Sequence, residues 1–239
     1  MLSSNIPKKT AGPHKRRLLI ELFLIAVALL AAGAMTGCSQ SAPGSAQSKV
    51  ASSTASPSAP AINIPQYISK TDTDGDGIDD QTDILKSAKA YVATKPKYAS
   101  KYYAGGYPND GYGVCTDVVA QALLGAGFDL HKLLNADVKQ HPNDYAISKP
   151  DPNIDFRRVP NQAVYFKHHA ISLTKDLSKI KEWQGGDIVV YRKHIGIVSD
   201  RRNSNGVPYL IHHYSSRQKN YEQDLLHWDT VIGHYRMSK

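Results

Sequence analysis

The chain has 239 residues and a formal net charge of +8, which suits one good-sized domain with additional segments. Many basic residues precede Leu18, and the remaining Lys and Arg are scattered along the chain. Nucleic-acid-binding domains typically concentrate their basic residues on one face, so the composition argues against a nucleic-acid partner.

The first segment is built like an export signal. Basic residues up to Arg17 precede an apolar run over residues 22–34, and residues 35–37 (Met-Thr-Gly) lead into Cys38. The run is shorter than the ~20 residues that span a bilayer, so the pattern predicts a signal peptide over residues 1–37. The segment resembles the lipobox of bacterial lipoproteins, which implies a lipid on Cys38 that anchors the protein to the bacterial cell membrane, facing outside the cytoplasm. The alternative is an ordinary signal peptide with a coincidental cysteine.

The two cysteines of the chain have different expected roles. Residues 38–66 are rich in Ser, Ala and Pro and hold little apolar bulk, which predicts a disordered tether after Cys38. Exported proteins usually pair their structural cysteines. If lipid occupies Cys38, then Cys115 is an unpaired thiol outside the cytoplasm, and it must be buried or used chemically.

An acidic loop follows over residues 67–83. Asp at alternate positions, followed by glycine, is typical of a Ca²⁺ site with oxygen ligands. The candidate ligands are Asp72, Asp74, Asp76, Asp79, Asp80 and Asp83. In an EF-hand arrangement Asp83 is the last ligand, whereas the similar calcium repeats of thrombospondin type 3 place it nearer, at Asp79 or Asp80. The alternative is a solvated acidic turn that caps the next helix.

Residues 84–239 predict one α+β domain. Apolar residues at helical spacing predict helices over 84–92, 114–126 and 160–169, and another after Asp129. β-Branched and aromatic runs predict strands over 187–191, 194–199, 207–213 and 231–236. Helices followed by antiparallel strands favour the α+β class.

Cys115 falls in the first turn of a predicted helix. The backbone amides and the dipole of that end favour negative charge, so we expect the thiol pKa to be lowered. A thiol nucleophile needs a base, and the base needs an orienting group. His194 opens a predicted strand, and His212 and His213 on the next strand point to opposite faces, so one of them can hydrogen-bond His194.

Six motifs along the domain stand in the order of a known bacterial family. They are Gly-Val-Cys-Thr-Asp (113–117), Asn-Ile-Asp-Phe-Arg-Arg-Val-Pro-Asn (153–161), Gly-Asp-Ile-Val (186–189), His-Ile-Gly-Ile-Val (194–198), Ile-His (211–212) and Gly-His-Tyr-Arg (233–236). They resemble the domain-of-unknown-function family 1287 over nearly all of residues 91–236. That family in turn resembles the NlpC-type cell-wall cysteine peptidases, which implies a papain-like fold with N-terminal helices packed on a small antiparallel sheet.

The resemblance implies a catalytic triad without a cofactor. Cys115 matches the nucleophile, His194 the base and His212 the orienting residue. Tyr102 matches the tyrosine that helps to bind the oxyanion. The Val-Cys-Thr-Asp of this chain departs from the Asp-Cys-Ser-Gly of NlpC-type enzymes, which leaves the substrate open.

Export and the resemblance together predict a lipid-anchored cysteine hydrolase that cleaves amide bonds of peptidoglycan peptides. Arg157 and Arg158 have no NlpC-type counterpart and could bind a substrate carboxylate bidentately; a salt bridge to Asp155 or Asp151 is the alternative. A non-catalytic envelope-binding lipoprotein and a thiol acyltransferase are the other functions considered. Four histidines show no metal-ligand spacing, so the sequence does not favour a zinc site: His168, His169, His227 and His234.

Overall fold

The computed structural model describes residues 62–237. The predicted signal peptide over 1–37, the lipidation site Cys38 and most of the tether lie outside the described residues. Between residues 62 and 237, no helix has the length and apolar character needed to cross a membrane.

The helices are close to their predicted positions. They are α1 (Asp80–Ala93), α2 (Cys115–Leu124), α3 (Leu130–Gln140), α4 (Pro152–Asp155) and α5 (Val159–His169). Helix α1 begins earlier than predicted because the Asp79 side chain accepts a hydrogen bond from the Thr82 N–H and caps it. The short α4 was not predicted, since four residues are too few to show a helical period.

The strands form two sheets. They are β1 (Lys97–Tyr98), β2 (Tyr112–Gly113), β3 (Ile171–Ser172), β4 (Ile188–Tyr191), β5 (Ile195–Arg202), β6 (Pro208–Ile211), β7 (Glu222–Gln223) and β8 (Val231–Arg236). The short β1 and β2 pair in parallel, and the others form an antiparallel sheet in the order β3-β8-β4-β5-β6-β7. The C-terminal β8 therefore lies between β3 and β4, which joins β3, directly after α5, to the rest of the sheet.

Strand β4 buries side chains on both faces of the sheet. Ile188 and Val190 belong to the main core with α1, α2 and α5, whereas Val189 and Tyr191 pack in a second core with Trp183. This division follows from the alternation of side chains along a strand. Burial of each such side chain contributes roughly 1.5–3 kcal/mol. Helices packed on an antiparallel sheet place the domain in the predicted α+β class.

A buried ion pair joins β8 to the turn before β4. The Arg236 Nε and Nη2 atoms lie 2.7 and 2.8 Å from the two carboxylate oxygens of Asp187, and His234 Nε2 lies 3.0 Å from the same carboxylate. Asp187 is fully buried. Because a buried charge is tolerated only when it is paired and hydrogen-bonded, this set holds β8 in place beside β4.

Candidate active site

Cys115 is the first residue of α2, and its thiol faces the start of β5. Helix α2 begins here because the Asp117 side chain accepts a hydrogen bond from the Val114 N–H at 2.8 Å. Cys115 is half-buried, and the backbone N–H groups of Ile195 and Thr116 are directed at its sulfur. The residue next to Ile195 is His194, so the thiol and the predicted base lie in the same region of the fold.

Burial raises the pKa of the Cys115 thiol to about 11. The expected lowering by the helix N-terminus is therefore wrong. The N–H groups of Ile195 and Thr116 act in the expected direction, but the loss of solvent around the sulfur outweighs them. The thiol is neutral in the resting protein at neutral pH.

Two imidazoles and an amide form a continuous chain of hydrogen bonds. His194 Nε2 lies 2.8 Å from His212 Nδ1, and His212 Nε2 lies 3.0 Å from Gln223 Oε1. Gln218 Nε2 donates to the same Gln223 oxygen at 3.1 Å. Since that oxygen only accepts, His212 carries its proton on Nε2 and accepts from the Nε2–H of His194. This arrangement leaves His194 Nδ1 without a proton, as a base requires.

Both imidazoles are neutral at neutral pH. Burial, followed by the neighbouring histidines, lowers the pKa of His194 to about 3. Burial also lowers the pKa of His212 to about 4, against the hydrogen bond to Gln223. Gly196 makes the pair sterically possible, because a Cβ there would lie 2.8 Å from Leu210 Cδ1 and 3.2 Å from His212 Cβ.

Aromatic rings surround His194. The ring centroids of Tyr191, Tyr214 and Trp228 lie 6.2, 6.0 and 5.5 Å from that of the imidazole. Tyr214 and Trp228 are exposed, so they offer flat surfaces beside the histidine pair. Over residues 62–237, no hydrogen bond joins Cys115 Sγ to either imidazole, and the sulfur contacts the backbone of Ile195 instead.

Two tyrosines are candidates for the oxyanion site: the predicted Tyr102, and Tyr98, which lies within electrostatic range of Cys115. Tyr102 is 59% exposed, and its hydroxyl accepts a hydrogen bond from Asn153 Nδ2 at 3.2 Å. Burial and then the charge of Cys115 raise the pKa of Tyr98. The Tyr98 ring also lies 5.1 Å from the ring of His213. The sequence pattern selects Tyr102 by its distance from a Gly-Gly pair, whereas Tyr98 lies on the short strand β1.

A pocket of 380 Å³ opens next to Tyr98. Tyr98, His213, Lys95 and Lys97 are among its lining residues. His213 Nδ1 is buried and has no hydrogen-bond partner among the described residues. A bound molecule could therefore meet an unpaired imidazole nitrogen and two cationic side chains here.

The two candidate arginines differ in their surroundings. Arg157 is buried, and its Nε and Nη2 donate to the carboxylate of Asp117 at 2.6 and 2.8 Å, while Nη1 donates to the Lys101 carbonyl at 2.6 Å. These bonds engage all three guanidinium nitrogens of Arg157. The predicted bidentate contact with a substrate carboxylate therefore does not fit this residue. Arg158 is 58% exposed and pairs loosely with Asp155 at 3.9 Å, so its guanidinium remains accessible.

Part of the acidic loop is arranged for a cation. The carboxylate oxygens of Asp72, Asp74 and Asp76 lie within 4.8 Å of one another. Asp83 is only 6% exposed, and none of the described residues donates a hydrogen bond to its carboxylate. Burial, followed by the charges of Asp76, Asp74 and Asp72, raises the pKa of Asp83, so this carboxylate lies within electrostatic range of the three.

The other two predicted ligands have structural partners. Asp79 accepts from the N–H groups of Ser69 and Thr82 at 2.9 and 3.2 Å. Asp80 is buried and accepts from Thr71 Oγ1 and from the Thr73 N–H and hydroxyl. Asp79 and Asp80 thus hold the loop to α1, and neither belongs to the group of close carboxylates formed by Asp72, Asp74 and Asp76.

The fold and the site define the class of the protein, and its sequence relatives define the family. The described residues form an α+β domain whose antiparallel sheet carries a histidine pair beside a half-buried thiol. Residues 85–237 match the family described as "Domain of unknown function (DUF1287)", and the chain belongs to this family. The chain is 38% identical over 151 residues to "Uncharacterized protein YijF" of Escherichia coli (strain K12), an alignment that covers 59% of this chain and 72% of the relative. No solved structure matches the chain.

Proposed function

We propose that this domain is a papain-like cysteine hydrolase of the NlpC type with Cys115 as nucleophile. The observation that carries the proposal is the hydrogen-bond chain from Gln223 through His212 to His194, which leaves His194 Nδ1 free to accept a proton. The thiol at the N-terminus of α2 faces the residue next to that base.

The proposed reaction follows from the protonation states. His194 Nδ1 accepts the Cys115 proton as Sγ attacks the amide carbonyl carbon, since neither group is charged at rest. The C–N bond breaks as the amine leaves with the proton from His194. Water then hydrolyses the thioester, again with His194 as base. The first-turn N–H groups of α2 and the nearby Tyr98 hydroxyl are the donors available to the oxyanion.

The proposed substrate is a peptide of the cell wall. The export signal, with lipid on Cys38, would place the domain where peptidoglycan is found. The pocket beside Tyr98 carries Lys95 and Lys97, which suit the carboxylates of wall peptides.

The lipid anchor has its own test. Exchange of Cys38 for Ser should move the protein from the membrane to the soluble extracytoplasmic fraction; continued membrane attachment would contradict the anchor.

The test is digestion of purified peptidoglycan with the wild-type protein, Cys115→Ala and the control His227→Ala, which changes an exposed histidine. New amino groups should appear with the wild type and the control and should be absent with Cys115→Ala. Equal release by all three would overturn the proposal.

The same assay separates the alternative functions. If the wild type is inactive, the non-catalytic envelope-binding function is favoured, and retention on insoluble wall would support it. Product analysis with an added amine acceptor separates hydrolysis from acyl transfer.

We also propose that Asp72, Asp74, Asp76 and Asp83 bind one Ca²⁺ ion. The carboxylate oxygens of Asp72, Asp74 and Asp76, which lie within 4.8 Å of one another, support this, and the charges of these three residues act on Asp83. Ca²⁺ should raise the unfolding temperature of the wild type and of Asp176→Asn, which changes an acidic loop residue elsewhere. Asp74→Asn should lose most of that increase; an equal increase in all three would contradict the site.

A further inference from the structure

The C-terminal ends of α3 and α5 meet at one buried carboxylate, that of Asp137. His141 Nδ1 lies 2.9 Å from Asp137 Oδ1, and His168 Nδ1 lies 2.7 Å from Oδ2. His169 Nε2 lies 2.8 Å from Oδ1, and the Tyr145 hydroxyl donates to Oδ2. The Asp137 side chain is 1% exposed, but those of His141 and His168 are 46% and 22% exposed. An ion can therefore reach this group from solvent.

The distances within this group are near those of a metal site. One ligand atom each from Asp137, His141 and His168 lies within 4.8 Å of the other two. A tetrahedral zinc ion with bonds of ~2.0–2.2 Å holds its ligand atoms about 3.4 Å apart. The contacts of Asp137 with His141 and His168, at 2.9 and 2.7 Å, would have to widen by about 0.5–0.7 Å to admit the ion in place of the shared protons.

The surroundings favour a cation at this point. His141 caps the C-terminus of α3, and His168 lies in the last turn of α5. Helix C-termini carry partial negative charge, so two of them add to the charge of Asp137.

The ligand atoms also have outer support. Asp144 Oδ2 lies 3.3 Å from His168 Nε2, and metal-bound histidines commonly donate their second N–H to a carboxylate. Tyr145 and His169 contact Asp137 and orient its carboxylate.

We propose that Asp137, His141 and His168 bind one divalent transition-metal ion of the zinc class, with water in the fourth position. The site is separate from the candidate active site and does not depend on the proposed hydrolase activity. The spacing of the histidines along the sequence does not favour a zinc site, so this proposal rests on the structure. His141 and His168 come from different elements, so their spacing along the chain does not resemble a zinc motif. The bound ion would join the ends of α3 and α5.

The experiment uses the full chain carrying Cys38→Ser and Cys115→Ser, which removes both thiols as competing ligands, with Ca²⁺ in excess to occupy the acidic loop. Metal content after equilibrium dialysis against Zn²⁺ and the absorption spectrum of the Co²⁺-loaded protein are measured. We expect one Zn²⁺ ion per chain and visible Co²⁺ bands of a tetrahedral site. His141→Gln and His168→Gln should weaken binding at least about tenfold, and Asp144→Asn should weaken it about ten- to hundredfold.

The matched control is His227→Gln, because His227 is exposed and lies outside the group. Its affinity for Zn²⁺ should equal that of the parent. Thermal unfolding in the presence of a chelator checks that each variant is folded, and the exposed Asp144 offers a substitution with little structural cost. Absence of Zn²⁺ binding by the parent, or equal affinity in all variants, would overturn the proposal.

Discussion

His194 Nε2 lies 2.8 Å from His212 Nδ1. Through this hydrogen bond, the proton position on His212 determines which nitrogen of His194 carries a proton. Because Gln223 Oε1 can only accept, the donor–acceptor direction runs outward from His194 to Gln223. The other nitrogen of His194, Nδ1, is therefore unprotonated. No charged residue is needed to orient this base. A neutral chain of this kind suits a buried site, where an unpaired carboxylate or imidazolium would be costly.

Gln223 is therefore expected to be a positioning residue for the base. In Gln223→Glu a negative charge replaces the amide next to His212, which should raise the pKa of both imidazoles. The acidic limb of the kcat/KM profile for wall-peptide cleavage should move to higher pH. Gln140→Glu, at an exposed position, is the control. A loss of activity with an unmoved pH profile would mean that Gln223 serves only the fold.

Cys115 should show the reactivity of a buried neutral thiol. With its pKa raised to about 11 by burial, the thiolate fraction grows through the whole range up to that value. The rate of alkylation by iodoacetamide, followed by mass spectrometry, should rise with pH without a plateau at acidic pH. A fast, pH-independent reaction near pH 5 would instead indicate a preformed ion pair with His194, and would contradict proton transfer during attack.

The histidine pair should also make stability depend on pH. The pKa values of His194 and His212 are lowered from 6.5 to about 3 and about 4, so the unfolded chain takes up these protons first as the pH falls. Stability should therefore be fully present above about pH 6.5 and decline towards pH 4. Each histidine contributes a slope of up to about 1.4 kcal/mol per pH unit.

Urea unfolding between pH 4 and 8, with a chelator present, measures this slope. His212→Gln removes one of the two groups and should make the decline distinctly shallower, whereas the exposed His227→Gln should not change it. An identical slope in the wild type and in His212→Gln would show that other groups cause the acid sensitivity.

The sequence pattern predicts the parts of this fold that depend on local periodicity. The strand over 231–236 is confirmed at both ends, and the helix that begins near Cys115 is in place. The two-residue strands β1 and β7 are too short to show a period in the sequence, yet they position Tyr98 and Gln223. Such residues depend on which segments approach one another in three dimensions, and a single sequence does not record that approach. His212 could be predicted because the alternation along a strand restricts the choice to two adjacent histidines.

The two neighbouring arginines give a last prediction, because they share sequence context but differ in burial. Arg157 forms a buried bidentate pair with Asp117, so Arg157→Ala leaves an uncompensated buried carboxylate at the start of α2. Breaking such a pair costs about 3–5 kcal/mol of unfolding free energy. Arg158→Ala removes an exposed and loosely paired side chain, so stability should change by less than about 1 kcal/mol.

Urea unfolding of both variants at neutral pH measures these changes, and the KM for wall peptides completes the comparison. If Arg158 binds a substrate carboxylate, Arg158→Ala should raise KM while the protein remains as stable as the wild type. If both variants lose the same small amount of stability, the Arg157–Asp117 pair does not hold α2. In that case the orientation of Cys115 comes from the packing of α2 on β5 and from the hydrogen bond of the Val114 N–H to Asp117.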